Sequence, residues 1–356
     1  MPGQKGQSSA LVGTWKHRRS VVKVCIVGAG AIGGLLAVKL AQAGASVSVV
    51  ARGAHLEAIR ARGLTLIAED QSEQNVALSA SSVLAELGPQ DAVVLGMKAH
   101  QVAAVAPDLH HLLGPETSVV TTQNGVPWWY FQKLSGPHAG QHLESVDPGG
   151  VIARHIDVER VIACIAYPAA EIASPGVIRH IEGNRFSLGE LDGTRSPRLR
   201  VLSELLHAAG FRAPMSTDIR SEIWLKLWGN CSFNPISALT HATLADICEF
   251  PLTRELAANV MREAQAIGDK LGVRFLVSLE KRIAGAQAVG QHKTSMLQDV
   301  EAGRPLELEA LVAAVIELGR ITEIATPSLS ALYACTSLLA KGLRDQSARL
   351  RLERVV

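Results

Sequence analysis

The sequence predicts an α/β fold, a Rossmann-type doubly wound sheet domain followed by an all-helical C-terminal domain. Three observations carry that expectation. From Val21 to about Ser216, short apolar β-rich runs alternate with helical stretches, the pattern of a parallel sheet covered on both faces. The glycine-rich run Gly28-Ala29-Gly30-Ala31-Ile32-Gly33 lies between the first such strand and the first helix. Beyond Thr217 and Asp218, both plausible helix N-caps, nearly everything is helix-periodic.

The elements follow in order. A β-branched run over 22–27 is the first strand, and 32–43 is a helix closed by Gly44. Residues 47–50 form the second strand, and 64–68 with 76–79 read as an additional hairpin. Residues 92–95 and 119–122 are further buried strands. Shorter β-like pieces over 161–190, broken by Pro168, Pro175, Gly176 and Gly183, read as a twisted antiparallel extension. Helices are expected over 219–239, 253–271, 276–288, 306–324 and 329–343, punctuated by Gly272, Pro305 and Pro327. The resulting division is a flexible extension over 1–20, a dinucleotide-binding domain over 21–216, a helical substrate and catalytic domain over 217–344 and a solvated tail over 345–356. Residues 1–20 carry Lys5, Lys16, Arg18 and Arg19 without an acid, a loose outline of an export signal. Lys23 and Lys39 interrupt the apolar run that follows, and cleavage there would remove the glycine loop.

Composition bounds the function. With 47% apolar and 19% charged residues, the chain of 356 residues has core material for about two domains. A formal charge of +2 argues against a nucleic-acid partner, which would need a basic surface. No apolar run reaches the ~20 residues of a membrane span, so no membrane partner is expected. The five cysteines are dispersed, without a C-x-x-C pair, so they read as reduced thiols of a cytoplasmic protein rather than as disulfides or a metal site. The twelve histidines include no H-E-x-x-H, and no G-x-S-x-G elbow occurs.

The glycine loop carries the first chemistry. Gly28 permits the tight turn, Gly30 lets backbone approach a pyrophosphate, and Gly33 lets helix and strand pack closely. Ala29, Ala31 and Ile32 complete a loop whose helix N-terminus offers free N–H groups to phosphates. NAD sites usually place an acid at the tip of the second strand. Here the sequence reads Val49-Val50-Ala51-Arg52-Gly53, and a guanidinium there can pair with a 2′-phosphate, so NADP(H) is the expected cofactor. Further on, Lys226, Asn230 and Asn234 recur every four residues and line one face of a helix. A buried lysine with amide neighbours can donate a proton, because desolvation lowers its pKa toward neutrality. An exposed polar stripe is the commoner fate of such residues.

Several motifs then resemble the ketopantoate reductases (2-dehydropantoate 2-reductases). They are Gly28–Gly34, Met97-Lys98-Ala99-His100-Gln101, Gln123-Asn124-Gly125, Glu222–Leu227 with Asn230 and Asn234-Pro235, Ser295–Asp299 and Arg304–Glu307. The resemblance implies a helical C-terminal domain of the 6-phosphogluconate-dehydrogenase-like kind and NADPH-dependent reduction of a small-molecule 2-keto acid to a 2-hydroxy acid, in pantothenate biosynthesis. By the same resemblance Lys226 is the general acid and Glu307 orients it. Asn230, Asn234 and Ser295 would hold the substrate, Asn124 would sit between cofactor and substrate, and Lys98 and Gln101 would line the cofactor cleft. No metal is implied, and the helical domain could pair two copies into a homodimer. The stretch Leu311–Ala314 departs from the asparagine–glycine pair that family members carry there, and 236–252 lacks a further asparagine. A different 2-keto acid or a ketimine is therefore an alternative substrate, and a non-catalytic NADP(H)-binding sensor is the alternative from another class.

The scarce aromatics, 4% of the chain, cluster at Trp128–Phe131 and around Lys226. Trp224 and Trp228 lie about 200° from Lys226 on a helix, on its back face. The run Trp128–Phe131 follows Asn124 directly and is expected to form a lid or pocket wall.

Overall fold

A computed structural model describes residues 21–352. The expected extension over 1–20 and the last four residues lie outside the described residues. In chain order the strands are β1 (Lys23–Val27), β2 (Ser46–Val50), β3 (Leu64–Ile67), β4 (Glu73–Val76), β5 (Ser79–Ser81), β6 (Gln90–Leu95), β7 (Leu113–Thr121), β8 (Val161–Ala166), β9 (Ala169–Ser174), β10 (Val177–Glu182) and β11 (Phe186–Gly189). The main sheet has the order β11-β8-β7-β6-β1-β2-β5, parallel except for the antiparallel edge strand β11. Val24 at its centre is paired with Val47 on one side and Ala92 on the other. Helices α1 (Ala31–Gln42), α2 (Gly53–Arg62), α3 (Ala99–Val105), α4 (Val151–His155) and α5 (Pro197–Ala208) accompany it. The chain leaves β1 for β2, then crosses to β6 on the other side of β1. The crevice beyond the carboxyl ends of β1 and β6 is thus a topological switch point, where open α/β sheets bind ligands.

A second sheet of order β4-β3-β10-β9 lies over α1. It pairs β3 with β4 antiparallel and with β10 parallel. The expected hairpin forms, but its second strand is Glu73–Val76, and residues 79–81 instead join the main sheet beside β2. The antiparallel extension expected over 161–190 divides between the sheets. Val161–Ala166 is buried at all six positions and takes the place of an interior parallel strand, as an unbroken apolar run should. The hairpin β9–β10 goes to the second sheet.

The helical part is built around α6 (Ile219–Thr240), capped by the Asp218 carboxylate, which accepts from Ser221 N at 3.2 Å. Around it stand α7 (Leu244–Glu249), α8 (Pro251–Lys270), α9 (Leu279–Ala288), α10 (Ser295–Ala302), α11 (Ala314–Ile321) and α12 (Pro327–Asp345). The single helix expected over 306–324 is a π-helical turn, Glu309–Ala313, running into α11. Helices α7 and α10 are too short, at six and eight residues, to stand out by periodicity. Among the described residues no helix is long and apolar enough to cross a membrane.

The aromatic run Trp128–Phe131 is not a lid. Trp129, Tyr130 and Phe131 are each 1% exposed, because they form the seam between the two domains. Trp129 donates to Thr121 Oγ1 at 3.1 Å, while Trp224 on α6 donates to the Tyr130 hydroxyl at 2.7 Å. Arg220, also on α6, clasps the carbonyls of Tyr130 and Gln132 at 2.8 and 2.6 Å. Trp228 turns to the back of α6 and donates to Met261 O at 2.7 Å, so that face belongs to the core.

Candidate active site

The switch-point crevice is shaped by glycines. Gly28 has φ +99°, and its N–H and that of Ala29 both donate to Val50 O, at 3.0 and 3.1 Å. A side chain at Gly28 would meet Met97 at 3.0 Å, and one at Gly33 would overlap the Gly28 carbonyl. Gly30 differs, since a Cβ there would find nothing nearer than Gly96 O at 3.9 Å. The backbone at Gly30 is thus open to a ligand, and Ala31 and Ile32 begin α1 with no acidic residue in its first turn. Arg52 stands exposed at the tip of β2, as the N-cap residue of α2, in no ion pair among the described residues. A dinucleotide with a 2′-phosphate fits this set: open backbone and unopposed helix N–H groups for the pyrophosphate, and a free guanidinium for the extra phosphate.

One support of the loop was not foreseen. His55 Nδ1 accepts from Gly176 N at 3.0 Å, which leaves the hydrogen on Nε2 to donate to Ala29 O at 2.8 Å. His55 therefore ties the glycine loop to the β9–β10 hairpin.

The second half of the site comes from the helical domain. Lys226 on α6 is half-buried, and its ammonium donates to Ala166 O at the end of β8 and lies 5.6 Å from the Tyr167 ring centroid. Burial pushes its pKa down to about 8, against the opposing pull of Glu307 and, more weakly, Cys164. Burial also raises the Glu307 carboxyl above its usual range, opposed by Lys98, by the N–H of Ala99 and by Lys226. Glu307 Oε1 accepts from Ala99 N at 3.2 Å, so the carboxylate caps α3 from across the domain boundary. The two residues expected to carry the chemistry thus feel one another in a shared low-dielectric setting.

Lys98, expected in the cofactor cleft, sends its ammonium across the boundary to Asp299 Oδ2 at 2.5 Å and Pro305 O at 2.9 Å. Asp299 is 6% exposed and also holds Arg304 at 2.8 Å. Gln101 is occupied locally, its Oε1 accepting from Lys98 N at 3.1 Å in a capping box of α3. Asn124 is half-buried in the loop after β7, at the same carboxyl end of the main sheet as the glycine loop. Its flank Gly125 has φ +90°, and Val126 N donates to Ala310 O of the π turn at 2.8 Å. On α6, Asn230 is half-buried, and Asn234 is 4% exposed with its Nδ2 lacking any partner. Ser295 is exposed in the first turn of α10, which Thr294 caps. Among the described residues no cluster of three or more His, Cys, Asp or Glu side chains could hold a metal.

A glycine loop at the switch point of a parallel sheet, facing a lysine and a carboxylate from a helical domain, defines a two-domain dinucleotide-dependent oxidoreductase. The ketopantoate reductase PanE/ApbA family description matches residues 24–193, and its C-terminal counterpart matches residues 218–340. A 2-dehydropantoate 2-reductase of Mesorhizobium japonicum is 56% identical over 320 residues, covering 90% of this chain and 98% of the relative. A crystal structure of a candidate ketopantoate reductase from Ralstonia solanacearum superposes with a TM-score of 0.87 at 42% identity, over 91% of this chain and 99% of that one. A D-mandelate dehydrogenase solved with NADH and anilino(oxo)acetate shares the fold, with a TM-score of 0.77 at 20% identity, over 91% and 99% of the two chains. The chain belongs to the ketopantoate reductase PanE/ApbA family.

Proposed function

We propose that the chain is an NADPH-dependent 2-dehydropantoate 2-reductase in which Lys226 is the general acid. The single observation that carries the mechanism is the burial of Lys226 beside Glu307 at the mouth of a dinucleotide crevice. Bound NADPH supplies the hydride that the 2-keto carbon accepts. Lys226 contributes the proton for the ketone oxygen, and its ammonium stabilises the negative charge that develops there. A pKa near 8 keeps the group mostly protonated at neutral pH while making it a stronger acid than a solvated lysine. Glu307 keeps the ammonium oriented and charged. Asn230 and Asn234 supply amide donors along the same helical stripe, and the unpartnered Nδ2 of Asn234 is a donor in want of a substrate acceptor. Asn124 and Ser295 would close the site from the carboxyl end of the sheet and from α10. Lys98 and Gln101 support the cofactor side by fixing α3. The NADP preference rests on Arg52, and with it the reductive direction.

The test is an NADPH-oxidation assay over a panel of 2-keto acids that includes 2-dehydropantoate. The highest kcat/KM is expected on 2-dehydropantoate. A clear preference for another 2-keto acid or for a ketimine would reassign the substrate, and tight NADPH binding with no turnover would make the chain a sensor.

A further inference from the structure

One cation near Lys226 has no role in the mechanism above. Arg282 on α9 forms no ion pair with a carboxylate among the described residues, although 12 pairs of a lysine or arginine with a carboxylate occur there. Its guanidinium lies against the middle of α6 at Gly229. A Cβ on Gly229 would overlap Arg282 Nη2 and stand 3.0 Å from its Cζ. Glycine destabilises a helix interior, yet α6 has one at this buried position, one turn beyond Lys226 and next to Asn230. The glycine makes room for the guanidinium. Burial lowers the pKa of Arg282, and only Cys231, Cys248 and Tyr167 oppose that effect, none of them an anion at neutral pH. The charge of Arg282 reaches the Tyr167 phenol, and the Tyr167 ring is the one the Lys226 ammonium approaches. A half-buried, unpaired guanidinium with planar donors is a seat for a carboxylate.

We propose that Arg282 binds the C1 carboxylate of the 2-keto acid, holding it at Gly229 while Lys226 faces the adjacent ketone oxygen. The inference rests on the reading of the site as a 2-keto acid reductase. Positions three apart on a helix lie ~5–6 Å from one another at Cβ. That spacing suits a substrate whose acid and ketone carbons are directly bonded. Arg282 would thus be the residue that selects 2-keto acids over neutral ketones.

The experiment compares 2-dehydropantoate with its primary amide, which keeps the ketone but carries no charge. Arg282→Met should lower kcat/KM on the acid about 10²–10³-fold, chiefly through KM, and change the amide by less than about threefold. Arg282→Lys should retain an intermediate preference for the acid, and the NADPH Kd should stay within about twofold in both. Gly229→Ala displaces the guanidinium while favouring the helix, so the same acid-specific loss is expected from a protein with unchanged circular dichroism. If wild type reduces the acid and both Arg282→Met and Gly229→Ala keep its acid-to-amide ratio, the inference is overturned and the reductase reading stands. If wild type reduces no 2-keto acid, the reductase reading itself fails, and this inference with it.

Discussion

At the scale of single residues, Lys226 is the group whose environment departs furthest from solution in a useful direction. Its pKa is lowered to about 8, so the proton that the proposed mechanism takes from it is lost as pH rises through that value. kcat/KM for reduction should therefore fall above about pH 8 in a pH–rate profile. Lys226→Ala should lower kcat by ~10²–10⁴ while leaving NADPH binding nearly intact; an unchanged kcat would remove Lys226 from the mechanism. Arg52→Ala should weaken NADPH about 10–100-fold and NADH by less than about threefold, measured by fluorescence titration. Equal losses would end the NADP assignment. Lys226, Asn230 and Asn234 were legible in the sequence because a helix turns a four-residue spacing into one face. His55, Tyr167 and Arg282 were not. Each acts on a partner brought close only by folding: Gly176 for His55, Lys226 for Tyr167 and Gly229 for Arg282.

At the scale of elements, the sequence patterns located β1, β2, β6 and α6 to within a few residues, since strand alternation and helical period are local signals. The second sheet escaped because its parallel pairing of β3 with β10 joins segments more than a hundred residues apart. The π turn Glu309–Ala313 escaped too, since apolar periodicity does not distinguish it from α-helix. That turn matters, because its Ala310 carbonyl receives Val126 N and so fixes the loop bearing Asn124 against the segment bearing Glu307. Gly125 makes the approach possible. It has φ +90°, and a Cβ there would run into the Ala310 backbone. Gly125→Ala should cost about 1–3 kcal/mol in thermal or urea unfolding through the strained backbone. It should also lower kcat at least tenfold, since small displacements of positioning groups are expensive in rate. Loss of stability with kcat unchanged would show that the loop position is structural only.

Across the whole molecule, the two domains meet through opposite kinds of contact, and their difference leads to a stability prediction. The aromatic seam of Trp129, Tyr130 and Trp224, clasped by Arg220, is buried, and both of its indole N–H groups donate, to Thr121 and to the Tyr130 hydroxyl. The candidate-site side of the same boundary instead holds an ammonium whose folded pKa, about 8, lies below the ordinary lysine value of 10.5. Between these values the unfolded chain binds the proton that the folded chain has released, so folding grows more favourable as pH rises. The contribution is complete above about 10.5 and is lost as pH falls through about 8. At neutral pH the buried charge therefore destabilises the fold by at most about 3 kcal/mol, taking ~1.4 kcal/mol per pKa unit. Lys226→Met removes that dependence, although it leaves Glu307 and the Ala166 carbonyl without their lysine. The informative quantity is the difference in unfolding free energy between wild type and Lys226→Met, followed by urea denaturation from pH 7 to 10.5. It should shift in favour of wild type by about 2–3 kcal/mol over that range, whatever its absolute offset. A difference that stays flat would mean that Lys226 titrates in the folded protein as it does in the unfolded chain. The acid assigned to the reaction would then have lost its physical basis.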